Sequence, residues 1–407
     1  MEILSFGSTG PEVELLQSTL KKLGFYTGQI DGEFGEKTES AVIRFQTQFG
    51  ITPDGVVGQS TWDRLYPYIY GYSIYRVRSG DTLFNIARNF GTSTNRILVA
   101  NPNIDPNNLQ INQVIIVPFG NVVQTDISYT YENLIRNISG LLRIYPFLQI
   151  GSIGRSVLGR AIPVIRIGEG QMEVFYNASI HSNEWITTPV LMKFLEEYSR
   201  RYVEDSTIFG YNARDLFENT TLYIVPMINP DGVDLVTGAI REGDTAYERA
   251  KQIAEDYPDI PFPNGWKANI EGIDLNLQFP AGWENAREIK FEQGFVSPAP
   301  RDYVGEGPLV APEALVLYNF TLMHNFRLIL TYHTQGRVIY WRFLNFLPPD
   351  SFEIGQEFSR VSGYELETTP ISSGFAGYKD WFIQEFNRPG YTIEAGFRRK
   401  SFANYAI

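Results

Sequence analysis

The stretch Val174-Phe-Tyr-Asn-Ala-Ser-Ile-His181-Ser-Asn-Glu184-Trp185 restricts this chain more than any other. An apolar, strand-like run ends, and an imidazole and a carboxylate follow three residues apart. That spacing brings two side chains onto one face of a helical turn, so a nitrogen and an oxygen can meet one metal ion. The chain holds three histidines and no cysteine, which removes thiolate ligands and leaves any metal to His, Asp and Glu. The third ligand is predicted at His333, where the strand-like run Leu328-Ile-Leu-Thr-Tyr ends. Two histidines and a glutamate leave a fourth position for water, the pattern of a catalytic zinc rather than a structural one.

The Ile180-His-Ser-Asn-Glu-Trp185 setting resembles the first metal motif of the zinc carboxypeptidase family, the carboxypeptidase A type. The resemblance implies one zinc ion held by His181, Glu184 and His333, in an α/β domain with a central mixed sheet flanked by helices. From about residue 122 to 407 the chain does alternate strand-like and helical segments. Strands are expected at 174–177, 222–226, 328–332 and 391–394, and helices at 188–202, 311–325 and 352–361. Both histidines then fall just after strands, at the carboxyl edge where open α/β sheets place ligands.

Two smaller modules precede this domain, making the whole chain multidomain. In residues 1–67, Val13, Leu16, Leu20 and Leu23 follow helical spacing after Pro11, and Ala41, Val42, Phe45 and Phe49 repeat it. The turn Asp31-Gly-Glu-Phe-Gly35-Glu-Lys-Thr38 recurs as Asp54-Gly-Val-Val-Gly58-Gln-Ser-Thr61, with Asp-Gly making the turn and threonine capping the next helix. This region resembles the three-helix peptidoglycan-binding domain of bacterial wall hydrolases. Pro67 to Ser73 reads as a linker. Residues 74–119 read strand, helix, helix, strand and resemble a LysM domain, a module that binds N-acetylglucosamine-containing glycan. The resemblance places the glycan groove at Gly80, Asp81, Thr82, Leu83, Asn107, Asn108, Leu109 and Ile111.

A hydrolytic zinc also needs a base for its water and a donor for the oxyanion. The resemblance assigns the base to Glu394, which ends the apolar run Tyr391-Thr-Ile, where partial desolvation raises a carboxyl pKa. It puts Lys267 of Trp266-Lys-Ala-Asn where the family carries its oxyanion arginine. Asn229-Pro-Asp-Gly232 and Gly272-Ile-Asp-Leu-Asn276-Leu-Gln-Phe are further landmarks. The second carries the main departure, Leu277 in place of the arginine that grips a terminal carboxylate, and Asn183 likewise replaces the arginine common inside His-x-x-Glu. Lysine offers a point charge, not a bidentate fork, so ordinary C-terminal trimming is disfavoured. Asn276, Asn183 and Tyr378 are expected to contact substrate.

These departures resemble the bacterial branch that cuts γ-D-glutamyl bonds to diaminopimelate or another diamino acid in wall stem peptides. The expected partners are peptidoglycan or muropeptides. The rivals are a carboxypeptidase trimming wall peptides and an inactive wall-binding protein. A formal charge of −12 argues against nucleic acid. Neither a membrane span nor an export signal is visible, so wall or spore association and synthesis in the cytoplasm are both compatible. Few residues follow Glu394, and the chain reads as short of the family's closing helix, which predicts an apolar sheet face left uncovered.

Overall fold

The computed structural model describes residues 1–396. The expected uncovered face, which depends on the segment that closes the chain, lies outside the described residues. The chain divides into two compact units, Met1–Gln149 with Met192–Leu216, and Ile150–Leu191 with Phe217–Ile407.

The first unit begins with helices α1 (Pro11–Lys22), α2 (Glu36–Gln48) and α3 (Gln59–Tyr70). Pro11 suits the first turn of α1, where its missing N–H is not needed. Val13, Leu16, Leu20, Val42, Phe45, Trp62 and Leu65 form a common core. The repeated turn has a cause the sequence pattern did not expose. Gln17 Nε2 donates to Asp31 Oδ1 (2.7 Å) and Glu33 O (3.0 Å), while its Oε1 accepts from the amides of Asp31 and Gly32, each at 3.0 Å. Gln46 does the same for the second turn, donating to Asp54 Oδ1 (2.8 Å) and Val56 O (2.9 Å) and accepting from Gly55 N (3.0 Å). Each buried glutamine satisfies the backbone of one Asp-Gly turn.

The expected linker at Pro67 is not one. Pro67 lies inside α3, which runs to Tyr70 and stops at Gly71 with φ 73°, and strand β1 (Tyr72–Arg76) starts at once. The apolar residues Leu65 and Ile69 bury one face of this last turn, so packing keeps it helical despite the proline. β1 pairs antiparallel with β2 (Val114–Pro118), Tyr72 opposite Pro118 and Arg76 opposite Val114. Between them lie α4 (Leu83–Phe90), capped by the Thr82 hydroxyl on Asn85 N (3.2 Å), and α5 (Thr94–Ala100), capped by Ser93 on Arg96 N (3.2 Å).

Of the expected glycan residues, Gly80, Thr82, Asn107, Asn108 and Ile111 are exposed. Asp81 is half-buried and its carboxylate accepts from Tyr75 Oη and Arg78 N. The Leu83 side chain is buried with Ile86, Ile97 and Val117 in the module's core, and Leu109 packs partly against the same cluster. Only their backbone is left for a groove. The unit continues with α6 (Tyr131–Ile144).

The second unit is built on an eight-stranded mixed sheet in the order β11-β10-β12-β9-β5-β8-β4-β3. The strands are β3 (Gln149–Arg155), β4 (Ala161–Ile167), β5 (Met172–Ala178), β8 (Thr220–Val225), β9 (Leu328–Thr334), β10 (Val338–Tyr340), β11 (Glu365–Glu367) and β12 (Gly390–Ala395). In sequence between β5 and β8 come α7 (Thr187–Val203), the short hairpin β6 (Thr207–Ile208) and β7 (Tyr211–Asn212), and α8 (Ala213–Asn219), of which Met192–Leu216 belongs to the first unit. The remaining helices are α9 (Pro230–Val236), α10 (Thr245–Glu255), α11 (Trp283–Glu292), α12 (Pro312–Leu322), α13 (Ser351–Ser362) and α14 (Tyr378–Phe386).

The central strands β12, β9, β5 and β8 run parallel. They carry the near-continuous apolar runs expected of strands covered on both faces. Phe175 on β5 and Ile329 on β9 pack with Phe320, Phe326, Tyr378 and Trp381 on one side. Leu330, Ile339 and Tyr391 form a cluster with Ile354 and Phe358 of α13. The outer strands β3, β4, β10 and β11, of which β3 and β11 form the edges, were not expected. β10 and β11 are three residues each and β3 is largely exposed, whereas β4 buries Ile162, Ile165 and Ile167.

Candidate metal centre

Three adjacent strands aim their carboxyl ends at one place. β5 ends at Ala178 and the chain turns through His181 into a single turn of 3₁₀ helix, Ser182–Glu184. His333 is the next-to-last residue of β9, and Glu394 on β12 is its register partner. Neighbouring strands in register point such residues to the same face.

The turn carrying His181 and Glu184 is fixed by polar side chains. Asn229 Nδ2 donates to Ile180 O (3.3 Å), Ser182 Oγ (3.0 Å) and Ala268 O (3.0 Å). Ser182 Oγ donates to Ala268 O (2.5 Å), and Ser182 N to Lys267 O (3.1 Å). Any side chain at Gly232 would meet Ser182 Oγ at 2.1 Å. The Asn229-Pro-Asp-Gly232 landmark is therefore a clamp that ties the turn of the first two ligands to the loop of Lys267.

His181, Glu184 and His333 are buried, and one donor atom from each lies within 4.8 Å of the others. His333 Nδ1 is 2.9 Å from Glu184 Oε2 and 3.2 Å from His181 Nδ1, which is 3.1 Å from the same Glu184 oxygen. Two imidazole nitrogens facing each other require a shared cation or proton between them. His181 turns its other nitrogen, Nε2, to Asp274 Oδ1 at 3.2 Å. That contact fixes the tautomer and leaves Nδ1 as the lone-pair atom, the usual outer support of a metal-bound histidine. Two imidazoles and a carboxylate, nitrogen and oxygen donors without thiolate, suit zinc, and His181, Glu184 and His333 fit the ion.

The electrostatics agree. Burial and the Lys267 cation push the His181 imidazole down, but the carboxylates of Glu184 and Asp274 outweigh them and hold it at about 9. Against burial, which raises it, the Glu184 carboxyl is held well below the usual range by His181 and Lys267. Asp274 is likewise depressed, burial being overcome by His181. Glu394 goes the other way: burial lifts its carboxyl, and the opposing pull of His333 does not cancel this. One glutamate is kept as an anion and the other made basic, the separation of roles an acid–base site needs. Lys267 Nζ stands 3.6 Å from Glu184 Oε1, bringing a positive charge to the edge of the centre.

The other expected substrate residues are distributed less simply. Asn276 is half-buried and its Oδ1 accepts from Tyr378 N (3.0 Å), which leaves its NH2 for other contacts. Asn183 Oδ1 is buried without a hydrogen-bond partner among the described residues. Tyr378 is corrected: it is fully buried in the core, its hydroxyl 2.9 Å from Thr321 Oγ1. Burial drives that phenol far above its ordinary pKa. The helix start that carries it packs its ring inward among Phe175, Phe279 and Trp381.

Sequence reasoning missed Asp274, although it sat inside a quoted motif, and missed Arg301, Asp302 and Lys290. Asp302 N donates to Asp274 Oδ2 (3.2 Å), and the Asp302 carboxylate holds Lys290 Nζ (2.6 Å) and Arg301 Nε (2.5 Å). No local motif marks these residues.

Comparison with known proteins adds the following. The family model described as zinc carboxypeptidase matches residues 135–403, that of a putative peptidoglycan binding domain residues 9–65, and that of the LysM domain residues 75–118. The gamma-D-glutamyl-L-diamino acid endopeptidase 1 of Lysinibacillus sphaericus is 49% identical over 275 residues, spanning 66% of this chain and 66% of that protein. A spore cortex-lytic enzyme of Oceanobacillus iheyensis is 45% identical over 64 residues, 16% of this chain and 23% of that one. Among solved structures, thrombin activatable fibrinolysis inhibitor superposes with a TM-score of 0.52 at 14% identity, covering 80% of this chain and 90% of that chain. At that identity the likeness is one of fold.

Proposed function

Because this chain belongs to the zinc carboxypeptidase family, we propose that it is a zinc-dependent endopeptidase of bacterial peptidoglycan, cutting the γ-D-glutamyl bond to a diamino acid in the stem peptide. The observation that carries the reading is the convergence of His181, Glu184 and His333 with Glu394 in register beside them. Zinc bound there supplies an acidified water and a Lewis acid for the scissile carbonyl.

Glu394 takes the proton of the attacking water on its desolvated carboxylate and returns it to the leaving amine nitrogen. Lys267 Nζ meets the negative charge that develops on the carbonyl oxygen. Asp274 holds the His181 ring in the tautomer that leaves Nδ1 free. Asn276 presents its NH2 to the leaving-group side.

The residue beside Asn276 argues for an endopeptidase. Leu277 is apolar and buried, so that position offers no fork for a terminal carboxylate. The relative from Lysinibacillus sphaericus carries the proposed activity in its name. The peptidoglycan-binding and LysM modules supply binding to the wall polymer and raise the local concentration of the catalytic domain without touching the reacting bond. Association with the cell wall or the spore cortex follows from that binding. Among the described residues, no helix is long and apolar enough to cross a membrane.

The experiment is cleavage of a stem tripeptide whose terminal carboxylate is amidated. An endopeptidase releases the diamino acid amide, whereas a carboxypeptidase stops.

A further inference from the structure

We propose that Arg301 binds the free α-carboxylate of the D-glutamyl residue on the acyl side of the scissile bond, and so selects γ-linked over α-linked substrates. This rests on the endopeptidase reading above. In a γ-linked glutamyl residue the chain leaves through the side chain, and the α-carboxylate stays free and ionised. In an α-linked peptide no anion occupies that place. A site that recognises the γ-linkage therefore needs one cation beyond those serving the reacting carbonyl.

Arg301 is placed for this. Lys267 N and Ala268 N both donate to Pro300 O, at 2.7 and 2.9 Å, so the backbone next to Arg301 is bonded to the loop of the oxyanion lysine. Asp274 N donates to Tyr303 O (2.9 Å) and Asp302 N to Asp274 Oδ2, so the same segment is also laced to the support of His181. The guanidinium charge interacts with Asp274 and Glu184.

Its orientation is held from behind. Asp302, with φ 65°, occupies the left-handed region that few residues other than Gly, Asn and Asp visit. From there its carboxylate grips Arg301 Nε, while buried Lys290 holds its other oxygen. The Arg301 side chain remains 34% exposed, and among the described residues its Nη atoms have no hydrogen-bond partner. An arginine tethered through Nε with its Nη edge open is preorganised to take a carboxylate in a fork. Lys267, by contrast, is drawn to Glu184 at the reacting centre. Beside Asn276 stands Leu277, which offers no such cation. The spare cation is thus carried by the loop of the oxyanion lysine rather than by that of Asn276.

The test compares the zinc-loaded full chain with Arg301→Met and Arg301→Lys on two substrates, L-Ala-γ-D-Glu-diaminopimelate and its analogue with the glutamyl α-carboxylate amidated to isoglutamine. The wild type should prefer the free acid by about 10- to 100-fold in kcat/KM, the loss expected for a charge-assisted fork. Arg301→Met should lose that preference, its kcat/KM falling about 10- to 100-fold more on the free acid than on the amide, and Arg301→Lys should keep part of it. Calorimetric binding of the acyl product L-Ala-D-Glu, against L-Ala-D-isoglutamine, should show the same pattern without turnover. Equal losses on both substrates would reveal a merely structural role and overturn the assignment. So would a preference that follows a carboxylate of the diaminopimelate instead. A wild type that cuts both substrates equally refutes this inference alone, whereas one that cuts neither refutes the endopeptidase reading with it.

Discussion

Replacing Asp274 by asparagine tests how the site holds its metal. The Asp274 carboxylate accepts three hydrogen bonds, from His181 Nε2 at 3.2 Å, Asn276 N at 3.1 Å and Asp302 N at 3.2 Å. It is buried. Asparagine keeps one acceptor oxygen and turns an NH2 toward at least one of these donors. Losing the charge-assisted bond to the imidazole costs about 1.5–3 kcal/mol, which corresponds to roughly 10- to 100-fold weaker zinc binding.

A second effect opposes the first at neutral pH. The imidazole of His181 sits at about 9 when metal-free because Glu184 and Asp274 outweigh burial and Lys267. Zinc must therefore displace a proton at pH 7, which weakens its binding there. Removing the Asp274 charge relieves part of that competition. The deficit of Asp274→Asn should accordingly be larger above pH 9 than at pH 7. Zinc competition against a chelator of known affinity, at both pH values, measures it. A natively folded variant with wild-type zinc affinity above pH 9 would refute the assignment of Asp274 as the support of His181.

Glu394→Gln should retain one zinc per chain while losing at least about 100-fold in turnover; retained activity would remove Glu394 from its role as base, and elemental analysis checks the metal. His333→Ala should lose stoichiometric zinc, and a normal metal content would overturn that ligand. Gln17→Leu strips the partners from the amides of Asp31 and Gly32 and should cost the first helical module about 2–4 kcal/mol, read as faster hydrogen exchange across residues 10–40; unchanged protection would count against the clamp. Glu313 is buried, accepting from Val157 N and Asn269 Nδ2, and burial pushes its carboxyl up to about 7 despite those donors. Its folded pKa exceeds its unfolded one, so the stability it contributes is complete below about pH 4.3 and is lost as pH rises through about 7. Glu313→Gln should flatten that slope in denaturant unfolding, and an unchanged slope would contradict the argument.

Much of this site was legible in the sequence because its ligands end apolar runs. His181, Glu184 and His333 follow strand-like segments whose periodicity needs no tertiary information, and Glu394 ends a third. The parallel strands β5, β9 and β12 then bring the three ends together. What stayed hidden depends on contacts between loops. Arg301, Asp302 and Lys290 meet only because segments 266–269, 272–274 and 299–303 hydrogen-bond to one another, and no periodic pattern records that.

Tyr378 was misplaced for the same reason. It lies near a recognised motif, but the direction of a side chain at a helix start is set by the core it packs against, and its ring points inward. The glutamine clamps were invisible because Gln17 and Gln46 sit on the preceding helices, outside the Asp-Gly turns that repeat. The run at Pro67 read as a linker because proline and glycine punctuate it, yet the burial of Leu65 and Ile69 carried the helix through.

The most direct test of the central claim is mass spectrometry of a disaccharide tetrapeptide muropeptide after incubation with the zinc-loaded protein, beside a chelator-treated control. Loss of a diamino acid–D-Ala dipeptide, only with zinc, is the predicted result. Loss of D-Ala alone, or no change with a folded protein containing one zinc per chain, would contradict it.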